Sequence, residues 1–197
     1  MTHIYLASQS ARRKSLLEQI NIDFESIFVD IDETPRPSED AVDYVNRMAA
    51  EKAQAGWLQS ERVLDIPLLA ADTSVILNAQ ILGKPSDRNH AIEMLNLLSN
   101  TTHQVITSVA IKNSCKMCQS LSITEVTFAK LTTAKINNYV NSAECMGKAG
   151  SYAIQGFAAS FVKKISGSYS GVVGLPLYET TLLLNSFLSS NENMKQK

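Results

Sequence analysis

The sequence predicts an α/β fold built on a mixed, twisted β-sheet with flanking helices. Three observations carry that expectation. Short apolar runs, beginning with residues 4–7, alternate with longer stretches of helical periodicity, as strands and crossover helices do. Residues 105–111 and 121–128 flank a polar turn and read as an antiparallel pair, so the sheet is mixed rather than purely parallel. The chain has 197 residues, 45% hydrophobic and 19% charged. That composition supports a sizeable core without staples, in one large domain or in two lobes sharing one sheet.

The elements follow in order. Residues 4–7 read as a buried strand, and Ser8-Gln9-Ser10 as a polar turn. Ser10 is placed to cap a helix carrying Leu16, Leu17 and Ile20. Residues 24–31 read as a second strand, and Pro35 and Pro37 break the chain beyond it. Ser38 is placed to cap a long helix reaching about Trp57, with Glu39 and Asp40 in a first turn whose dipole favours acids. Residues 67–77 form a strand, and Asn78-Ala79-Gln80 a turn into Ile81-Leu82. Ser86 or Asp87 starts a helix with Ala91, Met94, Leu95 and Leu98 on one face. Beyond the hairpin, Thr133 begins a short helix through Ile136, Tyr139 and Val140. Residues 147–174 are glycine-rich and mixed, with a strand near 161–165. Pro176 suits the first turn of a final helix ending near Leu188. Residues 1–190 are expected to form one domain, and 191–197 a flexible polar tail.

Charge and composition exclude several classes of function. Lys and Arg number 18 against 19 Asp and Glu, a formal net charge of -1. No field of one sign covers the molecule and no aromatic-basic interleaving occurs, so a nucleic-acid partner is not expected. No apolar run approaches the roughly 20 residues needed to span a bilayer, so no membrane partner is expected. The N-terminus lacks a cationic stretch followed by an apolar one, so no signal peptide is expected. Three cysteines, Cys115, Cys118 and Cys145, are too few and too unevenly placed for a disulfide framework. Cys115 and Cys118 read as two thiols in an exposed turn rather than half of a zinc site. A cytoplasmic location is the expectation.

Several residues stand out as candidates for chemistry. Arg12, Arg13 and Lys14 crowd the first turn of the first helix, where the dipole disfavours each cation by about 0.3–1 kcal/mol. Following a strand and a turn containing Ser8, they fit an anion site and solvated surface cations about equally well. No Gly-Lys-Thr loop is present, which excludes a P-loop. Asp30, Asp32 and Glu33 are either a solvated acidic loop or oxygen ligands for a divalent cation at a strand end. Asp72 lies inside Leu68-Leu69-Ala70-Ala71-Asp72-Thr73-Ser74-Val75-Ile76-Leu77. A carboxylate there is costly unless paired, hydrogen-bonded or bound to metal.

Lys52 shares a helical stripe with Ala41, Val45 and Met48, as a snorkelling lysine or as one aimed into a phosphate cleft. Lys84, turned between Gly83 and Pro85, is either simply exposed or held at a cleft edge. Gly150 and Gly156 permit close backbone approach to a ligand, and Gln155 carries the acceptor and donors that suit a base edge. His3, His90 and His103 occupy no recognisable triad context. Cations for phosphates, carboxylates for a metal and an amide for a base together describe a nucleotide enzyme.

Six segments carry a resemblance to a known family. They are Leu6-Ala7-Ser8-Gln9-Ser10-Ala11-Arg12-Arg13, Ala71-Asp72-Thr73, Gly83-Lys84-Pro85, His103-Gln104-Val105-Ile106-Thr107, Lys148-Ala149-Gly150-Ser151-Tyr152-Ala153-Ile154-Gln155-Gly156 and Gly174-Leu175-Pro176-Leu177. In this order and spacing the chain resembles the Maf family of nucleotide pyrophosphatases, from Ile4 to about Leu188. The resemblance implies a Maf/ITPase-like α/β fold with a nucleotide cleft between two lobes, commonly in a homodimer. It implies hydrolysis of a nucleoside triphosphate between the α and β phosphates with a divalent cation, Mg²⁺ or Mn²⁺. Asp72 would be the proton acceptor, with Lys52 and Lys84 as its catalytic companions and Glu33 and Asp72 holding the metal. Ser8 and Arg13 would handle phosphate, and Arg12, Thr73 and Gln155 would set specificity.

Asp-Thr at 72–73 together with Gln155 resembles the members acting on dTTP and UTP rather than the sister subgroup acting on 7-methyl-GTP. The alternatives that the family permits are a nucleotide-binding regulator of cell division with little turnover and a 7-methyl-GTP pyrophosphatase. Two positions depart from its pattern: Ala11 stands where Pro is usual, and Gly147 where Asp usually precedes Lys-Ala-Gly.

Overall fold

The computed structural model describes residues 3–59 and 66–195, with side chains as far as Ser189. Seven strands form one sheet: β1 (His3–Leu6), β2 (Asp23–Ser26), β3 (Leu68–Leu77), β4 (Gln80–Leu82), β5 (Thr102–Lys112), β6 (Met117–Phe128) and β7 (Val162–Ser166). Six helices flank it: α1 (Ala11–Gln19), α2 (Ala41–Leu58), α3 (Arg88–Leu98), α4 (Thr133–Asn141), α5 (Tyr169–Val173) and α6 (Leu177–Lys195). The strand order is β2-β1-β3-β5-β6-β7, with β4 paired to the far end of β3. β1 is parallel to β2 and β3, and every later pairing is antiparallel. The sheet is therefore mixed, as the sequence predicts.

Alternation along β3 separates the two faces of the sheet. Leu69 and Ala71 pack with Leu16 and Leu17 of α1 and with Leu95 and Leu98 of α3 in the larger core. Leu68 and Ala70 pack on the other face against Ala49 and Ala53 of α2. The apolar stripe predicted for α3 is the one buried, and its N-cap is Asp87, whose carboxylate accepts from His90 N–H at 2.9 Å.

Several boundaries differ from expectation. The second strand stops at Ser26 rather than residue 31, because β1 has only four residues and ends at Leu6, leaving no ladder to extend. The last contact is Ile27 N–H to the Leu6 carbonyl at 2.8 Å, after which the chain leaves the sheet. Asp40, not Ser38, caps α2, accepting from Val42 N–H at 2.8 Å, and Ser38 instead takes a left-handed φ of 59° in the preceding turn. The Ser10 side chain makes no cap bond to α1. Asn78 and Ala79 form the hairpin turn with φ of 50° and 64°, the double left-handed pattern that matches strand twist. β6 starts at Met117, so Cys118 lies in the strand and only Cys115 in the turn. The final helix runs to Lys195, well past Leu188, and residues 196–197 of the expected tail lie outside the described residues.

His103, expected at a strand start, is 2% exposed on β5. It packs edge-on against Phe128 and Tyr152, with Nε2 2.9 Å from the Tyr152 hydroxyl. Burial pushes its imidazole down to about 4 from an ordinary 6.5. The unfolded chain thus binds a proton that the folded one refuses between those values. Stability should be complete above about pH 6.5 and fall as pH drops to about 4, by up to about 3 kcal/mol. Urea midpoints measured from pH 7.5 to 4.5 test this. The slope should disappear in His103→Phe, and an unchanged slope in that variant refutes the assignment.

Candidate active site

The site exists because the sheet has a gap. β1 pairs with β3 only at Leu68 and Leu69, and β4 begins pairing with it at Val75. Between them the β3 edge lacks a strand partner, and a cleft of about 770 Å³ opens there. That volume suits a small-molecule ligand. Neighbouring strand residues point to opposite faces, yet at an open edge both reach the same cleft. Asp72 therefore enters from the α2 face and Thr73 from the α1 face.

Asp72 is 8% exposed, and the compensation demanded by its apolar strand is Lys52, whose Nζ donates to Asp72 Oδ1 at 2.7 Å. The same ammonium lies 2.7 Å from Glu33 Oε1, so one lysine on α2 joins two carboxylates. Lys84 donates to Glu33 Oε2 at 2.9 Å from the mouth of the cleft. Burial opposes ionisation of Glu33, but the bonds from Lys52 and Lys84 outweigh it and hold its carboxyl at about 2. The loop carrying Glu33 is pinned to α2 by the Tyr44 hydroxyl on the Glu33 carbonyl, at 2.8 Å, and by Arg47 on the Thr34 carbonyl, at 3.1 Å. Burial and the charges of Asp72 and Glu33 push the Tyr44 phenol up to about 12, which keeps it a donor. Of the acidic trio Asp30, Asp32 and Glu33, only Glu33 lines the cleft. Asp32 turns outward to accept from Thr34 N–H at 2.9 Å. Among the described residues no three His, Cys, Asp or Glu side chains gather into a metal cluster.

On the other face Arg13 is a tie rather than an open fork. Nε donates to the Gly174 carbonyl at 2.8 Å, Nη1 to Ser8 Oγ at 3.3 Å and Nη2 to Thr73 Oγ1 at 3.3 Å. Burial lowers its guanidinium pKa, opposed by the Asp72 charge. Ser8 also accepts from Ser10 N–H at 3.2 Å, which shapes the turn before α1. Thr107 Oγ1 sits 3.0 Å from Thr73 Oγ1 and donates to the Gly171 carbonyl at 2.9 Å. Arg12 lines the cleft with its Nε buried and unpartnered. Gln155 is exposed on the cleft wall. Gly150 comes close to β3: with φ of +62°, a Cβ there would lie 2.9 Å from the Val75 side chain, so glycine lets this segment close the cleft.

The nine residues to which the resemblance gives roles, Ser8, Arg12, Arg13, Glu33, Lys52, Asp72, Thr73, Lys84 and Gln155, all line this cleft, whereas Lys14, Asp30, Asp32 and Gly156 do not. Sequence reasoning missed Tyr44, Thr107, Lys148 and Tyr152. Tyr44 lines the cleft and bonds to the Glu33 carbonyl, and Thr107 reaches the site through Thr73, contacts that join residues distant in sequence. Lys148 and Tyr152 lie within a segment whose glycines and glutamine alone drew notice.

The matching family model, described as Maf-like protein, spans residues 3–187. A protein of Chromobacterium violaceum named dTTP/UTP pyrophosphatase is 50% identical over 188 residues, covering 94% of this chain and 95% of that one. A protein of the same name from Escherichia coli K12 is 50% identical over 192 residues, covering 98% and 96%. Among solved structures, the Staphylococcus aureus Ham1 protein aligns with a TM-score of 0.52 at 15% identity, over 96% of this chain and all of that one. At that identity the likeness concerns the fold alone, a mixed sheet with flanking helices. A family match across nearly the whole described sheet, joined to half-identity with these relatives from end to end, means that the chain belongs to the Maf family.

Proposed function

We propose that the chain hydrolyses dTTP and UTP to the nucleoside monophosphate and pyrophosphate. One observation carries this reading above the others. A single ammonium, Lys52, holds Asp72 and Glu33 together at an open strand edge, with Lys84 beside them and Arg12, Thr73 and Gln155 across the same cleft. The names of the relatives, dTTP/UTP pyrophosphatase, agree with that chemistry.

Each residue has a part in the reaction. Asp72 Oδ1 is engaged by Lys52, while Oδ2 has only a 3.5 Å contact with Ser74 Oγ and keeps lone pairs for a water. That water attacks the α-phosphorus, its proton passes to the carboxylate, and the bond to the β-phosphate oxygen breaks. Lys52 and Lys84 spread the charge of the departing pyrophosphate. Arg13 keeps Ser8 and Thr73 in place. Two carboxylates with hard oxygen donors, and no third, fit a Mg²⁺ or Mn²⁺ ion shared with substrate phosphates better than an all-protein cage. Glu33 and Asp72 would hold it, and when bound it would polarise the phosphate under attack. A homodimer enters this reading through family resemblance, and a cytoplasmic location through the low, odd cysteine count, which fits a reducing compartment.

A panel of nucleoside triphosphates with Mg²⁺ or Mn²⁺, read as pyrophosphate release, tests it. UTP and dTTP should be the best substrates. Preference for a purine triphosphate, or no release from any, would defeat the reading.

A further inference from the structure

The two faces of β3 divide the cleft. Asp72, Lys52, Glu33 and Lys84 form a connected ionic group on one side. Segment 147–155 closes the other, packed at Gly150 against Val75, which shares the face of Thr73. Gly150 N–H also bonds to the Gly83 carbonyl at 3.1 Å, which anchors the segment against the β4 end. Arg12, Lys148 and Gln155 line the cleft with polar side chains that can meet a ligand.

Lys148 is half-buried, and among the described residues its Nζ has one partner, the Met146 carbonyl of its own loop, at 3.3 Å. An ammonium has three donors, so two are unused. The nearest acid in sequence, Glu144, is turned to the Phe157 N–H, 3.2 Å from its Oε2. Residue 147 is glycine and supplies no carboxylate. Burial, and then the charge of Arg12, lower the Lys148 pKa. Arg12 leaves Nε buried without a partner. Lys148 and Arg12 thus line the same cleft with spare donors, and neither belongs to the ionic group of Asp72, Lys52, Glu33 and Lys84.

We propose that Lys148 is a specificity-determining residue whose ammonium, together with Arg12, donates to the carbonyl oxygens of uracil and thymine and so discriminates against cytosine. The proposal rests on the pyrimidine triphosphate reading above. Uracil and thymine carry acceptors at O2 and O4, with a donor at N3 between them. Two cationic donors match the oxygens, and the Gln155 carbonyl matches the N3–H. Cytosine places an amino donor where O4 would be. Facing Lys148, that amino group would leave both donors unpaired in a half-buried site.

The test compares kcat/KM for UTP and CTP in the wild type, in Lys148→Met and in Lys148→Arg. The wild type should prefer UTP. Methionine keeps the length and loses the donors, and the UTP/CTP ratio should fall about 10-fold, the size of one good base contact. Arginine should restore much of that ratio. Should the methionine variant melt well below the wild type, Lys148→Leu, which also lacks donors, is read in its place by the same criterion. An equal loss on both nucleotides would make Lys148 a phosphate or structural residue and overturn the proposal, as would an unchanged ratio. A wild type that releases pyrophosphate from neither nucleotide defeats the underlying functional reading, whatever the variants do.

Discussion

Asp72→Asn is expected to lower kcat for pyrophosphate release from UTP by about 10³-fold while leaving the protein folded, since loss of a positioned base costs between about 10² and 10⁴. The side chain keeps its shape, so β3 and its pairing with Ser108 on β5 are undisturbed. Lys52 is not stranded, because Glu33 Oε1 remains 2.7 Å from its ammonium. The loss in stability should accordingly be small, about 1–2 kcal/mol for one charged hydrogen bond. Single-turnover pyrophosphate release and thermal unfolding on the same sample separate the two effects. Full turnover in this variant would remove Asp72 from the chemistry. A large drop in melting temperature would instead show that the ion pair serves the fold first.

The Lys52→Met variant should fail in both respects. Asp72, with a side chain 11% exposed, loses its one ion-pair partner among the described residues, whereas Glu33, 40% exposed, keeps Lys84. Removing one member of a buried pair costs about 3–5 kcal/mol, and water access at Glu33 places the expected loss near the lower end. The two carboxylates are then adjacent without a cation between them. Mg²⁺ or Mn²⁺ should therefore raise the melting temperature of the variant more than that of the wild type, since binding to the folded state stabilises it. Activity should stay at least about 10²-fold below wild type, because no metal replaces the lysine on the leaving group. A melting temperature indifferent to divalent cations would show that Glu33 and Asp72 do not hold a metal.

The acid side offers a further check on the same network. Glu33 titrates near 2 when folded and at an ordinary 4.5 when unfolded. Its contribution is complete above about pH 4.5 and is lost as pH falls towards 2, below the window in which His103 acts.

Much of the site was legible because its residues break local rules. A carboxylate inside an apolar strand, an arginine at a helix start and a lysine on an apolar stripe each conflict with their surroundings, and Asp72, Arg13 and Lys52 each proved to have a partner in the cleft. Arg13 was legible in place but not in use. Its three bonds reach Ser8, Thr73 and Gly174, and the last lies 161 residues away. The acidic loop was legible only as a group. Asp32 and Glu33 are adjacent and chemically alike, and their separation followed from Tyr44 and Arg47 gripping the Glu33–Thr34 backbone. The second strand was overextended for a related reason. Residues 24–31 suit a strand by composition, but a strand persists only where a neighbour offers a ladder, and β1 ends at Leu6.

By itself the sequence determined the mixed α/β class, the stripes that became the core, the nine cleft residues and the resemblance that carries the substrate class. These depend on periodicity, on local conflict and on short motifs, all written within a few residues of one another. Only the tertiary structure decided that β1 and β4 leave one edge of the middle of β3 without a strand partner among the described residues, so that Asp72 and Thr73, on opposite faces, serve a single cleft. It also decided that Lys52 bridges two carboxylates and that Lys148 lines the same cleft as Arg12. Those outcomes depend on register and on contacts between residues far apart in the chain, which local pattern does not encode.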